Sequence, residues 1–172
     1  MATPATEPAP LILTNAGIAI APGAAAAALN ELACVANHIE ISPDVSTTTL
    51  DTMCGSRDYP GTVKWALLAT LYQSFDALAT EETLDAAVKG GEPVEFAVVG
   101  YRDKAVGPDN PMWTGLAIPQ PYSPINGDAG DASEVDIEWS IVGEPTKLET
   151  GVYPPVPTVL AASNGGKTKA AA

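Results

Sequence analysis

Positive charge is scarce in this sequence. It has 8 Lys and Arg residues against 21 Asp and Glu residues, which leaves a formal net charge of −13. Because proteins hold nucleic acid largely through Lys and Arg at the phosphates, a protein that grips nucleic acid is disfavoured. The first basic residue is Arg57, whereas a secretory signal starts with basic residues ahead of its apolar run. We therefore expect no ordinary secretory signal.

Long apolar runs are lacking as well. The uncharged stretch at residues 8–30 consists largely of Ala and contains Pro10, Pro22 and Gly23. A membrane-spanning helix needs about 20 strongly apolar residues, so we expect no membrane span and no membrane partner. Cysteine is limited to Cys34 and Cys54. Without a secretory signal, these two predict reduced thiols in a cytosol.

Candidate metal ligands are few. Cys34, His38 and Cys54 could be proposed as zinc ligands. However, positions 34 and 38 of an extended strand lie about 13 Å apart along it, which is too far for one ion. We therefore interpret the three residues as two small buried thiols and one polar histidine, and we expect no metal and no cofactor.

No catalytic pattern stands out either. Gly-x-Ser-x-Gly is absent, and the glycine pairs lack the strand-to-helix context of a phosphate-binding loop. Asp136 and Glu138 could serve a glycosidase, whose two carboxyls lie about 5–10 Å apart across a cleft. Trp139, which might stack a sugar, points to the opposite face from both acids. A hydrolase that uses these acids is therefore the least favoured alternative, and we assign no catalytic residue.

One stretch of strict alternation is present at residues 134–141. A period of two is typical of a half-buried β-strand, because successive side chains leave opposite faces. One face is apolar, and the other carries carboxylates two residues apart, which must stay hydrated or face cations. The first face comprises Val135, Ile137, Trp139 and Ile141, and the second comprises Glu134, Asp136, Glu138 and Ser140.

The rest of the chain predicts more strands and one helix. Thr80 as a cap, two acids in the first turn and a Gly-Gly stop predict a helix over residues 80–89, with Leu84, Ala87 and Val88 as its apolar face. Pro43 is expected to end the predicted strand at residues 31–42. The predicted strands or extended segments are 11–13 and 18–20 as a hairpin about 15–17, then 31–42, 45–52, 62–72, 93–101, 112–119 and 122–125, with a loop at 53–61.

This order of elements predicts a mostly β fold, an antiparallel sandwich or barrel with one flanking α-helix. Regularly alternating helices, which a parallel sheet needs, are missing. At 172 residues one core domain is expected. We predict an N-terminal arm and short hairpin at 1–30, a sandwich domain at 31–150 and a flexible C-terminal tail at 151–172.

Several motifs, in this order between residues 31 and 146, resemble the major tail proteins, or tail tube proteins, of long-tailed bacteriophages. They cover residues 39–44 (IEISPD), 47–55 (TTTLDTMCG), 59–65 (YPGTVKW), 73–76 (QSFD), 94–96 (VEF) and 135–146 (VDIEWSIVGEPT). The resemblance implies a β-sandwich with a helix on its outer side. The Ala-rich start and the Pro/Gly/Ala-rich end match no element of that family.

The resemblance also implies a function. It implies a structural subunit without catalysis, forming hexameric rings whose inner sheets merge into one barrel, and rings stacked into a tube for DNA ejection. Its partners would be copies of itself, other tail proteins and DNA that passes without specific binding, in a virion tail assembled in the host cytoplasm. By position, residues 43–61 would be the loop between rings, with Asp44, Thr48, Asp51, Arg57 and Asp58 as contact candidates.

Two interpretations of the surface stay open. We expect the face with Glu134, Asp136 and Glu138 to meet solvent in a tube, possibly in its lumen, where it would repel DNA phosphates. The alternative is an immunoglobulin-like binding module or capsid-decoration module of a virion. Such a module would stay monomeric and expose aromatic residues on loops, for which Trp113 and Tyr122 are the candidates.

Overall fold

Eight strands and one α-helix organise the part of the chain that the computed structural model describes, residues 15–24, 26, 28–75 and 80–155. A single 3-10 turn, Ala33–Val35, lies among them. The helix α1 is Thr80–Gly90, and the strands are β1 Gly17–Ile20, β2 Asn30–Glu31, β3 Ala36–Thr52, β4 Gly55–Tyr72, β5 Val94–Val99, β6 Met112–Ile118, β7 Glu134–Ile141 and β8 Thr146–Leu148.

The strands pair in the order β2-β1-β5-β6-β7-β4-β3, and β8 pairs with β6. All of these pairings are antiparallel. Strand β6 pairs with the whole of β5 but meets β7 at Ala117 and Ile118 alone. The sheet therefore divides at β6 into two layers around one core, and the predicted antiparallel sandwich with one helix is confirmed.

Strand β7 has the predicted alternation. Val135, Ile137, Trp139 and Ile141 are buried, whereas Asp136, Glu138 and Ser140 are exposed. Trp139 is fully buried and belongs to the same core cluster as Phe96 of β5. Burying a side chain of this size removes roughly 150–250 Å² from water, which makes Trp139 a main contributor to the core.

The predicted helix is confirmed as α1. It ends where Gly91 adopts a φ of +65°, the conformation that favours glycine after a helix. The Thr80 hydroxyl, predicted as a cap, donates to the Tyr72 carbonyl at 3.1 Å. Thr83 accepts a hydrogen bond from Asn30 at 2.9 Å. These two contacts attach the helix to the end of β4 and to β2.

The largest correction concerns residues 43–61. They were predicted as a strand end, an extended arm and a loop, but β3 and β4 form one continuous hairpin that turns at Met53 and Cys54. Pro43 does not end β3, because β3 is an edge strand, where proline is tolerated. Pro60 is tolerated for the same reason, because the pairing of β4 with β7 starts only at Trp65.

Other differences are local. The alternation at residues 31–42 is not one strand, because the 3-10 turn Ala33–Val35 separates β2 from β3. Residues 18–20 lie in β1, which pairs with β2 and β5, while their predicted hairpin partner at 11–13 lies outside the described residues. Residues 122–125 form no strand, and the short strand β8 was missed. The predicted boundaries after residues 30 and 150 stay predictions.

Candidate assembly surfaces

Three strands bring the predicted acidic residues to one face. Residues paired across antiparallel strands point to the same side of a sheet. Thr70 pairs with Asp136 and with His38, and Leu68 pairs with Glu138 and Glu40. We call this side of β3, β4 and β7 the acidic face; its carboxylates are those of Glu40, Glu134, Asp136 and Glu138.

Three of the four carboxylates of the acidic face have a side-chain partner among the described residues, one of them Asp136, which accepts a hydrogen bond from Thr70. Asn37 donates from Nδ2 to Glu134 Oε1 at 3.3 Å. His38 Nε2 lies 3.4 Å from Glu40 Oε2. Asp136 and Glu138 are exposed, and Glu134 is half-buried. Sequence reasoning missed Glu40, because its place beside Glu138 depends on the register of two distant strands.

Strand β3 is a long open margin of the sheet. It has 17 residues and stands at the end of the strand order, paired with β4. On the second margin of β7, β6 pairs with Ser140 and Ile141 alone among the described strands. The layer β7-β4-β3 thus has two incompletely paired margins. Unpaired margins offer N–H and C=O groups to another chain.

The distal half of the β3–β4 hairpin has no core. We call residues 45–63 the arm; every side chain described in it is exposed. Met53 at the turn is fully exposed, and Leu50 and Tyr59 are about half exposed. A two-stranded hairpin alone is marginally stable in water, so the arm is suited to contact another surface.

Polar contacts between the two strands hold the arm together. Thr49 donates to Asp58 at 2.6 Å, and Ser56 donates to Asp51. The predicted contact candidates Asp51 and Asp58 are therefore partnered within the arm. Arg57 pairs in register with Leu50, and Asp44 pairs with Lys64 just before the arm. Thr48 pairs with Tyr59 through its backbone, and its side chain lies outside the described residues.

An apolar groove opens between the two layers, beside the base of the arm. Its volume is about 470 Å³. Sequence reasoning missed it, since it needs β3 and β4 on one wall and β5 and β6 on the other. We call it the apolar groove; its main lining residues are Ile39, Ile41, Trp65, Val98, Pro111 and Trp113.

No protein-family model and no curated protein sequence matches the chain. Among solved structures, it is similar to the SPP1 tail tube, with 16% identity, a TM-score of 0.60 and coverage of 83% of this chain and 81% of that one. The chain has a tail-tube-like fold.

Two further structures share the tail-tube-like fold. One is the sheath-tube complex of the extracellular contractile injection system PVC in its extended state, with 13% identity, a TM-score of 0.56 and coverage of 82% of this chain and 93% of that one. The other is the virion of a native gene transfer agent particle, with 14% identity, a TM-score of 0.51 and coverage of 69% and 88%.

The cysteines of this tail-tube-like chain differ from the prediction. Both are free and exposed, so the prediction of buried thiols is wrong. Cys34 lies in the 3-10 turn rather than in a strand, and Arg102 Nη1 donates to its sulfur at 2.9 Å. Within the described ranges, no group of three or more His, Cys, Asp or Glu residues could hold a metal ion. No described helix is long and apolar enough to cross a membrane.

The two aromatic residues proposed for a binding module are not displayed on loops as exposed side chains. Trp113 lies in β6, half-buried, and lines the apolar groove. Tyr122 is half-buried, and its hydroxyl lies 3.4 Å from the Glu81 carbonyl. Burial raises the pKa of Tyr122.

Tyr153 packs closely against strand β1. Tyr153 lies against Gly17 of β1, where an added Cβ would be 2.5 Å from the ring. The hydroxyl of Tyr153 is buried and has no hydrogen-bond partner in the described chain. Burial raises the pKa of Tyr153. Arg102 beside it donates to Asn15 at 2.8 Å and lies 3.7 Å from Glu31.

Proposed function

We propose that this chain is the structural subunit of a tail tube, which joins copies of itself into stacked hexameric rings around a lumen for DNA. The observation that carries the proposal is the layer β7-β4-β3 with its two incompletely paired margins and its acidic face. The similarity to the SPP1 tail tube supports it. This role is structural, and we assign no catalysis to it.

Ring closure follows from the two margins. The outer margin of β3 in one copy would pair with the open margin of β7 in the next, so that the layers merge into one sheet. Repeating this contact around a closed ring leaves no open margin, as barrel closure does. Other tail proteins would meet the first and last rings, in a virion tail assembled in the host cytoplasm.

The acidic face would line the lumen. Glu134, Asp136 and Glu138 lie on the side of the layer away from the core, together with Glu40. Copies of these carboxylates around a narrow channel would repel DNA phosphates, so that DNA passes without specific binding.

The arm would reach the neighbouring ring. It extends about 26 Å beyond the layer, if eight residues of β3 rise at about 3.3 Å each. Its exposed backbone and side chains, with Arg57 and the acids of the arm, would meet the next copy. The proposed inter-ring contact residues remain Asp44, Thr48, Asp51, Arg57 and Asp58.

Negative-stain electron microscopy of the purified full chain tests this function. A tail tube subunit gives stacked rings or tubes as the concentration rises. A monomeric binding or decoration module gives isolated globular particles at every concentration, and that result would contradict the proposal.

A further inference from the structure

We propose that the apolar groove of one copy receives the tip of the arm of a second copy, through Leu50, Met53 and Tyr59. This inference rests on the proposed tube assembly and names the acceptor surface for the arm.

The arm carries a compact apolar patch. Leu50 pairs with Arg57, and Thr48 pairs with Tyr59. Leu50 and Tyr59 are thus diagonal neighbours on one face of the ribbon, within reach of each other. Met53 follows at the turn, fully exposed. Exposed apolar side chains that cluster on an otherwise polar element mark an interaction site.

The walls of the groove consist of apolar side chains that the molecule covers only in part. Ile39, Ile41 and Trp65 form one wall and are all half-buried, although they belong to the apolar side of β3 and β4. Val98 and Trp113, on the other wall, are also half-buried. A groove of about 470 Å³ lies within the size range of about 300–1,000 Å³ that is usual for ligand pockets.

The molecule's own arm is not positioned to fill the groove. Trp65 is a groove residue, and Tyr59 lies six residues away in the same extended strand β4, about 20 Å along it. The exposure of Leu50, Met53 and Tyr59 agrees with this. The groove is therefore not filled by the arm of the same molecule.

A second copy suits the groove for two further reasons. The arm and the groove are different patches of one molecule, so their contact is head-to-tail. Each copy can then use its arm and its groove at the same time, as a stack of rings requires. Charge also matches: Asp109 lines the groove, whereas Arg57 lies beside Leu50 on the arm.

The test uses two defective full-length variants. L50S/Y59S removes two of the three apolar side chains of the patch, and V98E places a charge in the groove; Ile41→Ser is a second groove variant in case V98E does not fold. Each variant alone should raise the concentration needed for tube growth at least about tenfold. A mixture of arm and groove variants should form capped pairs of rings with the two variants in equal amounts, because only the intact arms of one variant can meet the intact grooves of the other. Ile125→Ser/Val152→Ser, which alters exposed apolar residues elsewhere, is the control.

A photo-cross-linker at position 59 gives a direct readout in otherwise unchanged protein. Mass spectrometry should find its adducts on groove peptides around Ile41, Val98 or Trp113 of another copy. Adducts confined to another surface would overturn the inference, and so would tube growth of both variants at the concentration that the control needs. If the unaltered chain still forms tubes, the proposed function stands in either case. Failure of the unaltered chain to form tubes would overturn both.

Discussion

Thr70 and Asp136 face each other across β4 and β7, with the Thr70 hydroxyl donating to Asp136 Oδ1 at 2.7 Å. This contact lies on the exposed side of the layer, directly behind the buried row of Leu71 and Val135. Strand β7 therefore has two roles: one of its faces builds the core, and the other presents carboxylates.

Neutralising the acidic face should change the salt dependence of assembly. In E134Q/D136N/E138Q, subunits should assemble almost equally well at low and high salt. The unaltered chain should assemble poorly at low salt, because facing carboxylates then repel one another over a longer distance. The Debye length is about 30 Å at 0.01 M salt and about 3 Å at 1 M salt. Sedimentation of tubes across this range measures the effect.

The matched control is E92Q/D103N/E144Q, which makes the same change in net charge at exposed residues outside the acidic face. It should keep most of the salt dependence of the unaltered chain. If both triple variants lose it equally, overall charge rather than this face governs assembly.

The arm depends on Gly61. A Cβ at this position would lie 2.5 Å from the Ser46 carbonyl oxygen, which is backbone and cannot move aside cheaply. Register shifts at this point, between the Val45 and Thr47 pairs. We expect Gly61→Ala to distort the arm and suppress tube growth while the melting temperature falls little, because the arm has no core.

Gly90→Ala is the control, because an added Cβ there meets nothing within 4 Å. Electron microscopy and thermal melting of both variants make the comparison. Normal tubes of Gly61→Ala would show that the arm geometry is not needed.

Some elements of this fold can be predicted from the sequence, whereas others depend on tertiary contacts. The alternation of β7 predicts which of its side chains are buried, because one face of the strand packs on the core and the other meets water. The helix follows from local caps. Pro43 and Pro60 misled the prediction of the arm, because their tolerance depends on β3 and β4 being unpaired on one side, a tertiary fact.

The candidate surfaces show the same division. The acidic residues of β7 could be predicted, but Glu40 joins them through the register of β3 with β4. The apolar groove could not be predicted, because Trp65 and Trp113 line it from two different layers. Cys34 was misplaced because the apparent alternation at residues 31–42 runs through the short 3-10 turn Ala33–Val35, which has no strong signal of its own in the sequence.

Gly17 should be intolerant of any side chain. In Gly17→Ala the new methyl group would lie 2.5 Å from the Tyr153 ring, so the ring or β1 must move. We expect a loss of about 1–3 kcal/mol in the free energy of unfolding, the usual range for overpacking. Urea denaturation measures it, with Gly23→Ala as the control because an added Cβ there meets nothing.

The Tyr153 clash can be tested as a pair. Tyr153→Ala alone leaves a gap, but combined with Gly17→Ala it should cost less than the sum of the two single changes. Additive costs would mean that the two side chains do not meet.

Tyr153 should also make stability fall at alkaline pH. Its pKa is raised in the folded state, mainly by burial. The folded state therefore favours the neutral phenol, and this contribution is complete below the unfolded pKa of about 10 and is lost as pH rises above it. Tyr153→Phe should keep its stability at neutral pH, because the buried hydroxyl has no partner among the described residues.

Denaturant unfolding between pH 8 and pH 11, values chosen about the phenol pKa, compares the two proteins. The Phe variant should show the shallower decline above about pH 10. Equal declines in both would assign the alkaline sensitivity to other groups.

The most direct measurement is cryo-electron microscopy of the full chain at increasing concentration. We expect tubes of stacked rings in which β3 of one copy pairs with β7 of the next and Glu134, Asp136 and Glu138 face the lumen. Particles that stay single at every concentration, or tubes in which these carboxylates are packed in a dry contact, would contradict it.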